Sequence, residues 1–152
     1  MPRAIVSDTS CFIVLSNIGE LDLLQKIYGE VLTTPEVATE YGDPLPAWIK
    51  VIPLQDKSHQ RILELQLDNG EASAIALALE IPDCTVIIDD ERARRVARRL
   101  GLDITGTLGV IVSAKKKRLI PSVKPYLTKI KSAGFRLAVD LEAVALREAG
   151  EN

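Results

Sequence analysis

Apolar residues along this chain fall into two alternating patterns. Short unbroken runs, Ala4-Ile5-Val6, Val31-Leu32 and Thr85-Val86-Ile87-Ile88, read as strands buried on both faces of a parallel sheet. Between them lie stretches with helical spacing. Residues 11–18 read as a helix with Ser10 as its N-cap, ended by Gly19. Residues 20–28 carry Leu21, Leu24 and Tyr28 on one stripe. Thr34-Pro35 opens a third helix with Val37, Ala38 and Tyr41 inward. Trp48 is expected to anchor a turn of helix. Lys50 to Leu54 reads as a strand that Pro53 confines to an edge.

The second half repeats the alternation. Residues 58–67 suggest a loosely phased helix, which Asn69-Gly70 interrupts. Glu71 to Glu80 is the clearest helix, with Ala72, Ile75, Ala76 and Leu79 on its inner face. Residues 91–100 form another, with Ala93, Val96, Ala97 and Leu100 inward and arginines elsewhere. Leu102 to Thr105 is a short strand, followed by a helix to about residue 116. Two more helices are expected at about 122–132 and 140–148. Strands alternating with helices predict a parallel sheet wrapped on both faces.

Bulk composition narrows this picture. The chain has 152 residues, 47% hydrophobic, enough for one domain spanning 1–152 with the helices of about 122–148 as an appendage. Its formal net charge of -2 means that any nucleic-acid-binding surface must be local. Cys11 and Cys84 sit in or beside apolar runs and read as buried thiols of a cytoplasmic protein. The single histidine, His59, lies in a polar stretch and leaves no material for a His-based triad or a multi-His metal site. Met1-Pro2-Arg3 leads into the first strand without a signal peptide, and no apolar run approaches membrane-spanning length.

The acids give the pattern a chemistry. Asp8 ends the first strand, just before a helix, at the sheet edge where open α/β proteins bind ligands. Glu40 lies on the helix after the second strand, Glu71 begins a helix, and Asp89-Asp90 end another strand. Carboxylates gathered at one edge repel one another, and a hard divalent cation keeps them ionised. Each acid also has a plainer role open to it. Asp68-x-x-Glu71 is a capping-box pattern, Asp90 suits the N-cap of the helix 91–100, and Glu36 suits a helix dipole.

Four motifs together resemble the PIN-domain nucleases: Asp8-Thr9-Ser10, Thr34-Pro35-Glu36-Val37-Ala38-Thr39-Glu40, Asn69-Gly70-Glu71-Ala72-Ser73-Ala74-Ile75-Ala76-Leu77-Ala78 and Ile87-Ile88-Asp89-Asp90-Glu91-Arg92-Ala93-Arg94. The likeness runs from Ala4 to about Lys117 and is closest to a toxin-like prokaryotic branch. It implies an α/β/α sandwich with a central parallel sheet of about five strands, order 3-2-1-4-5. It also implies RNA cleavage dependent on Mg²⁺ or Mn²⁺, commonly by toxins restrained by a cognate antitoxin protein.

By the same resemblance the acids are Asp8, Glu40, Glu71 and Asp90, with Asp89 the near alternative to Asp90 and Ser10 the hydroxyl neighbour of Asp8. Asp8 and Asp90 would hold the ion most directly. Glu71 stands where the wider family often has Asp, and its longer reach makes direct coordination less certain.

An RNA substrate would need a basic surface. Arg92, Arg95 and Arg99 share one helical stripe, and Lys115-Lys116-Lys117-Arg118 ends a later helix; both also suit solvated helix surfaces. Aromatics are 4% of the chain, so base-stacking platforms are scarce. Two other classes stay open: a catalytically weak or inactive PIN-like module that binds nucleic acid or protein, and, ranked lower, a phospho-acceptor receiver, which usually needs an acidic pair near the first strand. The C-terminal apolar residues Leu137, Val139, Leu141, Val144 and Leu146, or the helix near 20–28, are expected to pack against a second copy as a homodimer.

Overall fold

A computed structural model describes residues 3–151. Met1 and Pro2, expected to lead into the first strand, and Asn152 lie outside the described residues. The elements run in order β1 (Ala4–Ser7), α1 (Thr9–Asn17), α2 (Asp22–Tyr28), β2 (Val31–Thr33), α3 (Pro35–Tyr41), β3 (Ile49–Val51), α4 (Ser58–Leu63), α5 (Asn69–Glu80), β4 (Cys84–Ile87), α6 (Glu91–Arg99), β5 (Asp103–Thr105), α7 (Thr107–Lys116), α8 (Lys124–Ser132) and α9 (Val139–Glu148). The strands form one all-parallel sheet in the order β3-β2-β1-β4-β5. This is the topology expected.

Period-two alternation explains why the sheet is covered twice. Ile5 and Ile87 turn to one face, packing with Phe12 and Leu15 of α1, Leu24 of α2, and Val110 and Ile111 of α7. Their neighbours Val6, Val86 and Ile88 turn to the other, against Ile75 and Leu77 of α5 and Ala93 and Ala97 of α6. The small residues of α5 and α6 bring those helices close to the strands. β1 lies between β2 and β4, in register Val6 with Leu32 and Val6 with Val86. Its carboxyl end is therefore central, and Asp8 follows it.

Several boundaries differ from the sequence expectation. Helix α1 begins at Thr9, so Asp8 and not Ser10 occupies the N-cap position. Asn69 and Gly70 do not interrupt a helix; they are the first turn of α5, capped by Asp68. Helix α4 stops at Leu63, because Ile62 and Leu65 are exposed and give the remainder no apolar face to bury. Strand β3 ends at Val51; pairing closes with Ile52 N donating to Thr33 O at 2.8 Å, and Pro53 has no N–H to continue it. Trp48 packs on the core from a turn, without helix around it. Cys11 and Cys84 are buried free thiols, and His59 is exposed on α4.

The C-terminal helices share the main core. Val123, Leu127, Ile130, Ala145 and Ala149 belong to the same cluster as Phe12 and Val110. Glu151 pins the end of the chain: its carboxylate accepts from Ser122 Oγ, from Val123 N at 2.8 Å and from Lys115 Nζ at 2.9 Å. Lys115 Nζ also donates to Ala149 O at 2.6 Å. Of the apolar residues assigned to a partner, Leu137 and Leu146 pack on this core, while Val139, Leu141 and Val144 remain exposed. Among the described residues no helix is long and apolar enough to cross a membrane.

Candidate active site

Asp8 is placed by the backbone on both sides of it. Its N–H donates to Ile87 O at 3.1 Å, which continues the β1–β4 pairing one residue past the strand. The residue is 3% exposed, and its Oδ1 is buried with no hydrogen-bond partner. An unmet buried carboxylate oxygen is costly. The acid responds as physics requires: burial pushes its pKa up to about 7. The Thr9 backbone N–H opposes the rise, and the negative charges of Glu71, Asp68 and Glu40 add to it.

Glu40 approaches from α3. Its Oε1 accepts from Thr9 Oγ1 at 2.7 Å. The hydroxyl that reaches an acid is thus Thr9's; Ser10, the expected neighbour, is half-buried on the next position of α1. The first turn of α5 closes the other side. A Cβ on Gly70 would stand 2.3 Å from Glu40 Oε1 and 3.4 Å from Asp8 Oδ1. Both carboxylates therefore rest on the bare Cα of Gly70, and only glycine leaves room for them.

Buried hydroxyls hold these three segments together. Thr33 Oγ1 donates to Ser7 O at 2.8 Å, and Ser7 Oγ to Asp8 O at 2.9 Å. Thr34 Oγ1 caps α3 by accepting from Val37 N at 3.1 Å and lies 2.7 Å from Ser73 Oγ. Ser73 Oγ in turn lies 2.8 Å from Gly70 O. Ser7, Thr33, Thr34 and Ser73 are fully buried, so this network ties strand ends β1 and β2 to the starts of α3 and α5. Sequence reasoning singled out none of these roles except the cap at Thr34.

Glu71 and Asp68 form the expected capping box. Asp68 Oδ1 accepts from Glu71 N at 2.8 Å, and Glu71 Oε1 from Asp68 N at 3.4 Å. Burial raises the Glu71 pKa to about 7, helped by the charges of Asp68, Asp90 and Glu40. Glu71 thus stands electrostatically between the Asp8–Glu40 pair and the end of β4.

There the two acids are already employed. Asp90 caps α6, its Oδ2 accepting from Ala93 N at 2.9 Å. Asp89 grips the start of α7, with Oδ1 accepting from Thr107 N at 2.7 Å and Oδ2 from Thr107 Oγ1 at 2.6 Å.

Among the described residues no group of three or more acids, cysteines or histidines converges closely enough to form a ready-made cation cage. The pair Asp8 and Glu40 nevertheless suits Mg²⁺, which is usually held by one or two carboxylates with waters and substrate phosphates completing its shell. The unmet Oδ1 of Asp8 is the atom that a cation would satisfy.

The arginines of α6 divide between two sides. Arg92, Arg95 and Arg99 line one depression of about 290 Å³ with Gln66, as their shared stripe predicts. Arg94 turns away and donates from Nη1 to Ile88 O at 2.8 Å, and Arg98 lies 3.6 Å from Glu91.

A family model described as a PIN domain matches residues 4–151. The chain belongs to the PIN-domain family. No curated protein and no solved structure is significantly similar to it. The match extends past Lys117, where the motif resemblance ended, through α8 and α9. A nuclease-type fold of this family accounts for acids at the carboxyl edge of the sheet, centred on β1.

Proposed function

We propose that this chain is a metal-dependent ribonuclease that hydrolyses RNA phosphodiesters, a toxin-like enzyme using Mg²⁺ or Mn²⁺. The supporting observation is the buried, unpartnered Asp8 Oδ1 beside Glu40 over a glycine that leaves space for both. Asp8 and Glu40 would hold the cation, with Asp90 contributing the Oδ1 that its cap leaves uncommitted. When bound, the ion would stabilise charge on the phosphate and activate water.

In the reaction proposed, water oxygen bonds to phosphorus and the bond to the leaving ribose oxygen breaks. Thr9 fixes the Glu40 carboxylate through their hydrogen bond. Glu71 adds negative charge beside Asp8 and Asp90. Arg92, Arg95 and Arg99 would draw the phosphate backbone to the site edge. Ser10 would contact substrate from α1.

A cognate antitoxin protein as restraint rests on the family resemblance. For the expected homodimer, the exposed Val139, Leu141 and Val144 are the remaining apolar surface on α9, and light scattering at micromolar concentration tests it.

A second reading is favoured by one observation: the acids do not converge into a cage. On that reading the fold binds nucleic acid or a protein with little catalysis. A cleavage assay on a panel of labelled RNAs, with Mg²⁺, Mn²⁺ or a chelator, separates the two. The nuclease reading expects cation-dependent cleavage by the wild type and none by Asp8→Asn. It also expects Arg92→Ala/Arg95→Ala/Arg99→Ala to weaken RNA binding and flatten its salt dependence. Equal activity in Asp8→Asn overturns the site; RNA binding without cleavage under any cation selects the second reading.

A further inference from the structure

The largest cavity among the described residues opens directly onto the acid pair, and the chemistry outlined so far leaves it unused. It measures about 720 Å³ and shares Glu40 and Gly70 with the site. Pockets for small ligands span roughly 300–1,000 Å³, so a nucleotide fits. Pro35, Pro53 and Leu54 supply apolar wall on which a flat ring can lie. With so few aromatics in the chain, such walls are what it has to offer a base.

The polar lining is biased towards acceptors. Glu36, Glu40, Glu64 and Asp68 face two cations, Lys57 and Arg61. Lys57 lies 3.8 Å from Glu36, and Arg61 makes no ion pair among the described residues. An acidic lining alone designates no ligand. The deciding feature is Gln60, also on the wall. It is 4% exposed, and its Oε1 is buried with no hydrogen-bond partner. An amide oxygen buried unpaired calls for a donor. A phosphate offers acceptors only; a base edge bearing an amino group offers N–H donors.

We propose that this cavity is the nucleobase pocket of the same site, receiving the base next to the cleaved phosphate and preferring bases that carry an amino group. The inference rests on the ribonuclease reading for the position of the cut. Gln60 Oε1 accepts from the exocyclic amino group, and the Gln60 amide N–H donates to the adjacent ring nitrogen or carbonyl. This two-point pairing is available to adenine, cytosine and guanine. Uracil, with one ring N–H and two carbonyls, presents no amino group to the acidic wall. Arg61, without a carboxylate partner, is placed for the phosphate flanking that base.

The test is a titration of the ¹⁵N-labelled full chain, with chelator present, against AMP, GMP, CMP and UMP. The expected result is a shift of the Gln60 side-chain amide and of the Leu54 and Asn69 backbone amides. At least one amino-bearing nucleotide should bind about fivefold or more tighter than UMP, the ratio for one hydrogen bond of about 1 kcal/mol. Gln60→Met should erase that preference; if this variant does not fold, the wild-type titration decides alone. Equal response to UMP, shifts confined to the Arg92–Arg99 depression, or an unchanged preference in Gln60→Met each overturn the pocket. Selective binding at Gln60 with no cation-dependent RNA cleavage overturns the catalytic reading and supports the pocket.

Discussion

Two neighbouring strands of the sheet end in acids, and the acids differ in what their oxygens touch. Asp8, after β1, has an Oδ1 buried without a partner. Asp90, two residues past the described end of β4, commits one oxygen to the α6 cap. Asp89 commits both, to Thr107 N and Oγ1. The sequence shows three similar aspartates at one edge; the structure grades them by unmet valence. A carboxylate whose oxygens are satisfied by backbone N–H and hydroxyl groups stabilises a helix start and needs nothing else. One left unmet in a dry position costs stability, and a bound cation recovers it. The comparison therefore ranks the three by how much function, as opposed to structure, depends on each.

The largest effect is expected for Asp8→Asn. Cleavage and cation-induced stabilisation should both disappear; at a cation concentration about 100 times Kd the wild type gains about 2.7 kcal/mol that the variant lacks. The variant also tests the unmet charge without metal. The Asp8 pKa rises from about 4 unfolded to about 7 folded, so between those values the native state binds more protons than the unfolded one. Wild-type stability in chelator should thus fall as pH rises from 4 to 7, and Asp8→Asn should flatten that fall. Glu151 provides the opposite sign. Burial would raise its pKa, but hydrogen bonds from Ser122, Val123 and Lys115 outweigh this and pull it down to about 2. Its contribution is present above the unfolded value near 4.5 and is lost as pH drops towards 2. Urea denaturation across pH 3 to 8, with and without Mg²⁺, measures both. A pH slope identical in wild type and Asp8→Asn would mean that Asp8 is as well satisfied as its neighbours.

Next comes Gly70→Ala. Alanine in a helix interior is worth about 1 kcal/mol over glycine, so propensity alone predicts a gain. Here the new Cβ would meet Glu40 Oε1 at 2.3 Å. The carboxylate must move away from Asp8, and a displacement of about 1 Å at a reacting site can cost about 100-fold in rate. The expected outcome is cleavage reduced 10- to 100-fold, with thermal stability within about 1 kcal/mol of wild type. Unchanged cleavage would separate Glu40 from the chemistry.

Gly70 also marks where reading the sequence stops. Apolar runs and helical stripes sufficed for the sheet and for most helices, because burial on two faces and on one face leave different periodicities. Asp8 and Glu40 stood out through their place after strands and through the family resemblance. Gly70 read as a break, since a glycine that makes room for a carboxylate looks in sequence like one that ends a helix. Thr9 and Ser10 are indistinguishable by type; only the start of α1 at Thr9 decides which hydroxyl meets Glu40. Gln60 sat in an exposed-looking polar stretch, and its burial depends on the packing of α4 against α5, which joins residues far apart in sequence.

The smallest effects separate Asp90 from Asp89, and here the comparison is sharpest. Alanine at either position removes a helix-start contact, costing about 1 kcal/mol for a lost N-cap and about 1–3 kcal/mol for the Thr107 N–H left buried without an acceptor. Serine at 90 separates the roles, because its hydroxyl caps as well as aspartate does. Asp90→Ser should recover wild-type stability yet cleave about 10-fold more slowly, as expected for loss of a supporting ligand. Its Oδ1, uncommitted and close enough to Glu71 to raise that residue's pKa, belongs to the site as well as to the cap. Asp89→Ala should lose stability only, with residual cleavage within about twofold of wild type, below the about 1.4 kcal/mol that a tenfold change represents. Measured together, chemical denaturation and single-turnover cleavage of these variants place each acid on one axis or the other. If Asp89→Ala abolishes cleavage while Asp90→Ser retains it, then the two oxygens on Thr107 must exchange for a cation during turnover, and the grading by unmet valence gives the wrong order for this strand end.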